Sequence, residues 1–469
     1  MDCIHCHTSS GRNRFEGANA NQSCMPCHSS KVNNPTKHTF HKIDSEGSKC
    51  VNCHMPTTRF AAMTRSDHSM RPPMPTLSRT FKSPNACNLC HDDQTAEWAD
   101  KHVRQWRKRD YQADDLYRAD LVDHARKNDW SKLQETLDYI VSDEREEVVA
   151  NSLVRLLNGT SDERKWKVLI QVLNNDSSPL IRSSAAAALH GYFTKEGIDA
   201  LLKATQDKYR LVRIRAAYSL AALPPSMVPS GKSGVLKNAY AEYTESMTSR
   251  PDDAVSHYNI GNFKMAQDQP QAALESYEIA LHLRPDFTPA FVNAALVESQ
   301  LGDNQKALKK LETARKVGQQ SDAVELNLGM LYAELKQMDE AEVAFRRALK
   351  LNPRAAQAAF NLGVLLAEKQ SDEALKFTAK AWELEPQNSR YGYTHGFFLY
   401  QFKRTDSAIT VLEQMVEKNT DEASVYYLAG KIYEEQGQPQ KAQNVYRSAA
   451  ANENLHPQIR QRFYIQTQR

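Results

Sequence analysis

Residues 87–91 read Cys-Asn-Leu-Cys-His, and the same five-residue word, Cys-x-x-Cys-His, occurs three times earlier in the chain. This word is the attachment site of c-type haem, in which two thiols bond to the porphyrin and the adjacent histidine is the proximal iron ligand. The four words contain all eight cysteines of the 469 residues. We therefore expect four haem c groups, attached through Cys3, Cys6, Cys24, Cys27, Cys50, Cys53, Cys87 and Cys90, with His7, His28, His54 and His91 as proximal ligands.

Two other interpretations use the same cysteines. Paired Cys-x-x-Cys words also form zinc sites, and the gap between Cys6 and Cys24 falls within the usual zinc spacing. A disulfide framework would likewise use an even number of cysteines. Neither explains why histidine follows the second cysteine in every word, since histidine is only 15 of the 469 residues. Covalent haem accounts for this regularity, with zinc as the main alternative.

The segment from Met1 to His102 is rich in Asn, Ser, Pro, Lys and His and has few aliphatic residues. It shows no sustained period of a helix or a strand, so without a cofactor it would be taken for a disordered segment. We expect the porphyrins to replace the missing apolar core, with loops and short helices around them.

Five further histidines lie in this segment, and low-spin c-type haems usually take a second His or Met ligand. We expect His38, His41 and His68 to be these distal ligands, because dense histidines have no apolar core to bury them here. His5, inside a haem word, and His102, on a predicted helix, are not expected to ligate. Three distal candidates are too few for four haems, so one iron would have no distal histidine. That iron takes a ligand from further upstream, uses a methionine (Met25, Met55, Met70 or Met74), or binds a small substrate.

Helical periodicity begins at about Thr95. Trp98 and Trp106 lie eight residues apart, on one face of a predicted helix, where we expect them to pack the head against the body. An Asp-opened turn followed by an alanine-rich helix occurs at 176–189 and again at 207–220. This pattern resembles HEAT repeats.

A second repeat has a spacing of 33 or 34 residues, with small residues at Gly261, Ala295, Gly329, Gly363, Gly396 and Gly430. This is the tetratricopeptide (TPR) pattern of two antiparallel helices per unit, with small residues where the helices cross. Aromatic residues such as Tyr277, Phe345 and Tyr446 are expected between the helices. Such solenoids present a concave groove, so we expect the repeats to dock a protein or peptide.

The fold class predicted from these patterns is mostly α: a loop-rich tetrahaem cytochrome c head followed by an α-solenoid. The predicted domains are the head at 1–94, HEAT-like repeats at 95–225, a linker with a half-repeat helix at 226–253, six TPR units at 254–456 and a capping helix at 457–469.

The composition restricts the class of protein. With 60 Lys and Arg against 57 Asp and Glu, the net charge of +3 argues against a nucleic-acid binder. No apolar stretch is long enough to span a bilayer. Haem attachment of this kind takes place outside the bacterial cytoplasm, so we expect a periplasmic or otherwise exported protein. No export signal precedes the first haem word at residue 3, and we expect the natural chain to begin further upstream.

The chain resembles bacterial multihaem c-type cytochromes in which a doubled Cys-x-x-Cys-His region precedes HEAT and TPR repeats. The resemblance rests on Cys50-Val-Asn-Cys53-His54-Met-Pro, Ser66-Asp-His68-Ser-Met-Arg-Pro-Pro and Ser83-Pro-Asn-Ala-Cys87-Asn-Leu-Cys90-His91. It implies that the four motif histidines are proximal ligands, and that His68 and the pair His38 and His41 are distal ligands. Relatives usually carry further haem words upstream, which implies more than four haems in the complete protein.

These patterns indicate an exported electron carrier whose solenoid docks it to a redox partner protein or respiratory assembly. One alternative is a multihaem oxidoreductase that acts on a small nitrogen or sulfur oxyanion. Another is an interaction scaffold in which the haems are chiefly structural. The sequence does not decide whether the protein is an enzyme, although it favours the electron carrier.

Overall fold

The computed structural model describes residues 3–60, 62–369 and 371–467. It divides the chain into two compact units, residues 1–216 and residues 217–469. Within the described ranges, no helix is both long and apolar enough to cross a membrane.

The N-terminal part of the first unit consists of short helices joined by loops. The helices are α1 (Cys3–Cys6), α2 (Ser29–Val32), α3 (Pro35–Thr39), α4 (Cys50–His54), α5 (Pro75–Phe81) and α6 (Ala96–Trp106), and 3₁₀ turns cover Gly17–Cys24, Glu46–Ser48 and Cys87–Leu89. An antiparallel hairpin, which the sequence did not predict, pairs β1 (Thr57–Phe60) with β2 (Met63–Ser66). In its register, Thr57 lies opposite Ser66.

This head has almost no apolar core. Among the described residues before position 95, the buried apolar side chains are Val32, Pro75 and Ala86. The remaining buried side chains in that range are the polar Ser48, Thr76 and Ser78. Burial of apolar surface is the main favourable term in folding, so the described side chains of the head supply little of it.

The rest of the first unit is helical, with α7 (Ala113–Arg126), α8 (Leu133–Val141), α9 (Glu147–Leu156), α10 (Arg164–Asn175), α11 (Pro179–Ala188) and α12 (Lys195–Ala204), and α13 (Arg210–Ser219) crosses its boundary. The aspartates of the repeated turns are structural. Asp176 accepts an ion pair from Arg145 at 2.6 Å, and Asp207 accepts one from Arg182 at 2.8 Å. Arg182 lies in the first repeated segment and Asp207 in the second, so their ion pair links the two repeats. The HEAT assignment stays a prediction.

The second unit begins with α14 (Ser233–Thr248) and continues as six helix pairs. The pairs are α15 (Ala254–Ala266) with α16 (Pro270–Leu283), α17 (Thr288–Gln300) with α18 (Asn304–Val317), α19 (Asp322–Glu334) with α20 (Met338–Leu351), α21 (Ala356–Glu368) with α22 (Glu373–Leu384), α23 (Ser389–Gln401) with α24 (Thr405–Glu417), and α25 (Ala423–Glu435) with α26 (Pro439–Ala451). A last helix, α27, covers Pro457–Gln466. The fold class predicted from the sequence is confirmed, whereas the exact domain boundaries stay predictions.

Small residues allow the two helices of a pair to touch. A Cβ atom added at Gly261 would lie 2.3 Å from the Tyr277 ring, and one at Gly329 would lie 2.5 Å from the Phe345 ring. At Gly430 the corresponding distance to the Tyr446 ring is 2.2 Å. The prediction that aromatic side chains fill the space between the helices is therefore confirmed at these three pairs.

The fourth and fifth pairs use other side chains at this crossing. Gly363 faces the methyl group of Thr378, and Gly396 faces Leu412. The Thr378 hydroxyl is in turn 2.9 Å from Nδ1 of His395, a buried histidine whose pKa is lowered to about 4 by burial. His395 is therefore neutral at physiological pH and contributes to the packing of the solenoid.

Replacing Gly329 by leucine should separate α19 from α20, because the new side chain would overlap the Phe345 ring. Overpacking of this kind costs about 3 kcal/mol. We expect a lower midpoint of thermal unfolding, measured by circular dichroism, and an unchanged visible absorption spectrum. Gly234→Leu is the matched control, because nothing lies within 4 Å of a Cβ added at that helical glycine. Equal losses in the two variants would contradict the packing argument.

Candidate functional site

Each Cys-x-x-Cys-His word forms a single turn, which is helical in the first, third and fourth words, whereas in the second word Met25 is extended and is followed by a cis peptide bond to Pro26. The backbone N–H of the histidine donates to the carbonyl of the first cysteine at 2.9 Å in the first word, 3.0 Å in the second and 2.9 Å in the fourth. The third word is the helix α4. Residues three and four positions apart lie on the same side of such a turn. Both thiols and the imidazole of one word therefore leave the backbone close together.

Three of the four motif histidines face a second histidine. The ring centroids of His7 and His68 are 6.3 Å apart, and those of His38 and His54 are 6.0 Å apart with the rings nearly parallel, at 4°. The centroids of His41 and His91 are 6.1 Å apart. The structure thus brings each distal candidate to one motif histidine, at nearly the same separation.

Hydrogen bonds orient several of these rings. Nδ1 of His41 lies 2.6 Å from the carbonyl oxygen of Thr39, Nδ1 of His54 lies 3.2 Å from that of Arg71, and Nδ1 of His68 lies 2.9 Å from that of Ser66. A carbonyl oxygen can only accept, so Nδ1 carries the proton in each ring. The lone pair of Nε2 is then available to a metal, the arrangement that metal-binding histidines usually show.

The surroundings of His38 favour its neutral form. Burial and the nearby cations Arg107 and Lys31 lower the pKa of this imidazole. A histidine must be neutral to ligate a metal, so the electrostatics fit a ligand. His7 differs from His41, His54 and His68, because its Nδ1 is buried and lacks a hydrogen-bond partner among the described residues.

The second, third and fourth words are neighbours. The thiol of Cys24 hydrogen bonds to Cys50, which raises the pKa of Cys24 and lowers that of Cys50 to about 7. Burial, together with the thiols of Cys87 and Cys90, raises the pKa of Cys53 to about 11. Cysteines of consecutive words therefore lie side by side in the fold.

The third and fourth words line one cavity of about 330 Å³. Its wall includes both cysteines and the histidine of each word, together with His38 and His41. His102, Trp98 and Trp106, which all lie on α6, line it as well. A continuous space thus connects two haem words with two distal candidates.

The first word contacts the second. Nε2 of His5 lies 3.2 Å from the carbonyl oxygen of Met25, and both residues border an open cavity that Arg14 also lines. His5 thus lies beside another haem word, although the sequence predicted no ligand role for it. His28, by contrast, is exposed, and its ring has no close contact with a second ring among the described residues.

Sequence reasoning missed residues that connect the words. Asn21 donates to the carbonyl of Ser48 at 3.0 Å and accepts from the backbone N–H of Cys50 at 2.8 Å. Asn88, inside the fourth word, donates to the carbonyl of His91 at 3.1 Å. Asparagine is common in loops, so nothing in the sequence distinguishes these two from their neighbours.

In the described part of the chain, none of the eight cysteines forms a disulfide bond. Across the described ranges, no group of three or more His, Cys, Asp or Glu side chains converges in a way that could hold a metal ion.

Comparison with known families matches two parts of the chain. The cytochrome c552 family model matches residues 37–148. Three tetratricopeptide repeat models match residues 323–354, 365–432 and 423–451. The chain is a c-type cytochrome with TPR repeats. No curated protein matches this cytochrome significantly.

Solved structures resemble the cytochrome only weakly. YrrB, described as a TPR protein with an unusual peptide-binding site, is 24% identical, and the match covers 37% of the cytochrome and 90% of YrrB with a TM-score of 0.32. PilF from Pseudomonas aeruginosa is 17% identical over 46% of the cytochrome and 99% of its own chain, with a TM-score of 0.38. At such TM-scores these similarities carry no information about ligands or partners.

The residues of the head fit haem c. Two thiols and one imidazole leave each word from the same turn, and three words have a second imidazole nearby. The shortage of buried apolar side chains before position 95 also fits a cofactor that supplies interior surface. Individual ligand roles stay predictions.

A buried carboxylate fixes α6, the helix that forms one wall of the cavity. Asp100 accepts hydrogen bonds from Thr76 at 2.6 Å and Gln112 at 3.0 Å, and it pairs with Arg79 and Arg104 at 3.1 Å each. Burial by itself would raise the pKa of Asp100, but the hydrogen bonds from Thr76, Gln112 and Arg104 outweigh it and keep the pKa below its usual range.

Asp100→Asn should destabilise the protein at neutral pH by about 2 kcal/mol, since hydrogen bonds to a charged group are lost. The folded-state pKa of Asp100 is depressed, so its contribution is complete above the unfolded-state value of about 4 and is lost as the pH falls through the folded-state pKa. We therefore expect the difference in the urea midpoint between the two proteins to shrink below about pH 4.

Asp123→Asn is the control, because Asp123, near the end of α7, forms an ion pair with the exposed Lys127 that directly follows this helix. It should change the urea midpoint little at either pH, as exposed ion pairs contribute little. A pH-independent difference for Asp100→Asn would contradict the role assigned to the carboxylate.

Proposed function

We propose that this protein is an exported multihaem cytochrome that transfers electrons, with four haem c groups in its head. The three imidazole pairs at 6.0–6.3 Å support this proposal most strongly. When bound, haem c supplies an iron that gains and loses one electron reversibly. His7 and His68, His54 and His38, and His91 and His41 are proposed as three proximal and distal ligand pairs.

The separation of the paired rings would leave room for a shared metal. A bond from a metal to an imidazole nitrogen is about 2 Å long, so both histidines of a pair could hold the iron of one haem. Other ring pairs lie at a similar separation, such as Tyr117 and Tyr139 at 6.1 Å. The support therefore comes from the fact that each of the three pairs joins a motif histidine to a distal candidate.

The neighbouring positions of the words support electron transfer. The first word contacts the second through His5 and Met25, the second contacts the third through Cys24 and Cys50, and the third shares a cavity with the fourth. Words that are consecutive in the sequence thus lie next to each other in space. A series of neighbouring redox centres suits a carrier that passes electrons from one haem to the next.

The TPR solenoid is proposed to dock a protein, such as a redox partner or a respiratory assembly. Six helix pairs exceed the three that stability requires, which favours a binding role over a spacer. Export to the periplasm or beyond is part of the proposal, because cysteines in haem words are joined to haem outside the bacterial cytoplasm.

The haem content and one ligand pair can be tested together in protein from a host that matures c-type cytochromes. The pyridine haemochrome assay should give about four haems per chain. His38→Ala should keep its thioethers but lose one distal imidazole. We then expect about one haem per chain to become high-spin and to bind carbon monoxide after reduction.

His257→Ala in the second unit is the matched control, because this histidine lies outside the head and its ring hydrogen bonds to the carbonyl of Pro251 at 2.9 Å. It should leave all haem spectra unchanged. Colourless protein that contains zinc or disulfides in the head would refute the haem proposal. Normal haem content with an unaltered spin state in His38→Ala would refute only the ligand pair.

A second candidate function rests on His28. Among the described residues this motif histidine has no second imidazole opposite it, so the haem proposed at Cys24 and Cys27 lacks a histidine pair. An iron with an open position can bind a small substrate. The alternative is therefore an oxidoreductase that acts on a small nitrogen or sulfur oxyanion.

The two candidates predict different behaviour of the unmodified protein. A pure carrier should bind no carbon monoxide when reduced and should not turn over nitrite or sulfite with a reduced dye. The oxidoreductase should bind carbon monoxide at about one haem per chain and consume one of these anions. Absorbance titration and dye oxidation measure the two properties separately.

A further inference from the structure

Helix α6 carries three rings on one face. Trp98, His102 and Trp106 are spaced by four residues each, so they lie above one another along the helix, about 12 Å from end to end. All three line the cavity of the third and fourth words. The centroids of Trp98 and His102 are 4.5 Å apart, and those of His102 and Trp106 are 6.2 Å apart.

The two ends of this row contact the two histidines of one pair. Trp98 lies 4.8 Å from His91 between ring centroids, with the planes tilted by 49°. Trp106 lies 6.4 Å from His41 and presents its ring at 81°, edge to face. One helix therefore touches both members of the His41 and His91 pair.

Trp106 also fixes the residue before His41. Phe40 adopts a left-handed backbone conformation with φ of 60°, which is unfavourable for a residue other than glycine. Its ring stacks on Trp106 at 4.7 Å with an interplanar angle of 13°. On another side His41 is confined by Gly47, where an added Cβ would lie 2.2 Å from the ring.

The helix itself is held in place. The Thr95 hydroxyl accepts the N–H of Trp98 at its beginning, and Asp100 and Val103 are buried against the rest of the head. A fixed helix can transmit its position to the rings that contact it, whereas a mobile one cannot.

We propose that Trp98 and Trp106 are positioning residues that fix the ring orientations of His91 and His41, the ligand pair of the haem at the fourth word. This inference rests on the proposed function. The orientation of two axial imidazoles sets the electronic structure of a low-spin iron, so the tryptophans act on the haem through its ligands.

Electron paramagnetic resonance of the oxidised protein tests this role. Trp98→Leu and Trp106→Leu remove the ring contacts, and each should shift the low-spin signal of one haem and leave the other signals in place. Trp98→Phe and Trp106→Phe retain an aromatic ring and should restore the signal towards that of the unmodified protein. Trp166→Leu, which removes a ring stacked on Tyr192 outside the cavity, should lower only the thermal midpoint.

Unchanged signals in both leucine variants, with a thermal midpoint lowered as in Trp166→Leu, would overturn the inference and leave the proposed function intact. Absence of haem from the unmodified protein would instead refute the proposed function. If a leucine variant fails to incorporate haem, the phenylalanine variants are used to test the inference. A partial shift of one signal supports positioning, and signals identical to those of the unmodified protein contradict it.

Discussion

A polypeptide that buries as few apolar side chains as the head of this cytochrome cannot maintain a unique fold through those side chains alone. Conformational entropy opposes the ordering of every residue, and burial of apolar surface is the main term that offsets it. In the head, Val32, Pro75 and Ala86 are the described apolar residues that are buried before position 95. The short helices, the loops and the paired imidazoles all depend on interior surface from another source, which haem c fits.

The second unit obtains its buried apolar surface from its own side chains. Its core comprises one cluster of buried residues from Ala254 to Tyr391 and another from Leu399 to Phe463, and at five of the six crossings a glycine faces a larger partner. Three crossings use an aromatic ring, one uses Thr378 supported by His395, and one uses Leu412. Neighbour contacts of this kind make the stability of a solenoid roughly a sum over its repeats. A local change there leaves distant repeats intact, whereas in the head few contacts are independent.

Much of the fold followed from periodicity, because the TPR spacing determines where each helix crosses its partner. The haem words could also be recognised from the sequence, because haem attachment requires two cysteines and a histidine that lie close together in the chain. The pairing of His7 with His68, His54 with His38, and His91 with His41 was not predictable, because loops without periodicity do not define which distant residues meet. The hairpin of β1 and β2 and the bridging role of Asn21 were missed for the same reason. Their partners lie in other segments, and only the folded chain brings them together.

His38 and His41 come from a single short segment, α3 and the two residues that follow it, yet they face different motif histidines. The two residues between them therefore determine how far apart the rings that face His54 and His91 lie. Inserting or deleting one residue there would rotate His41 away from His91 if His38 kept its place, so no compensating shift of the segment could satisfy both. Evolution can lengthen the loops on either side of this segment much more freely than the segment itself.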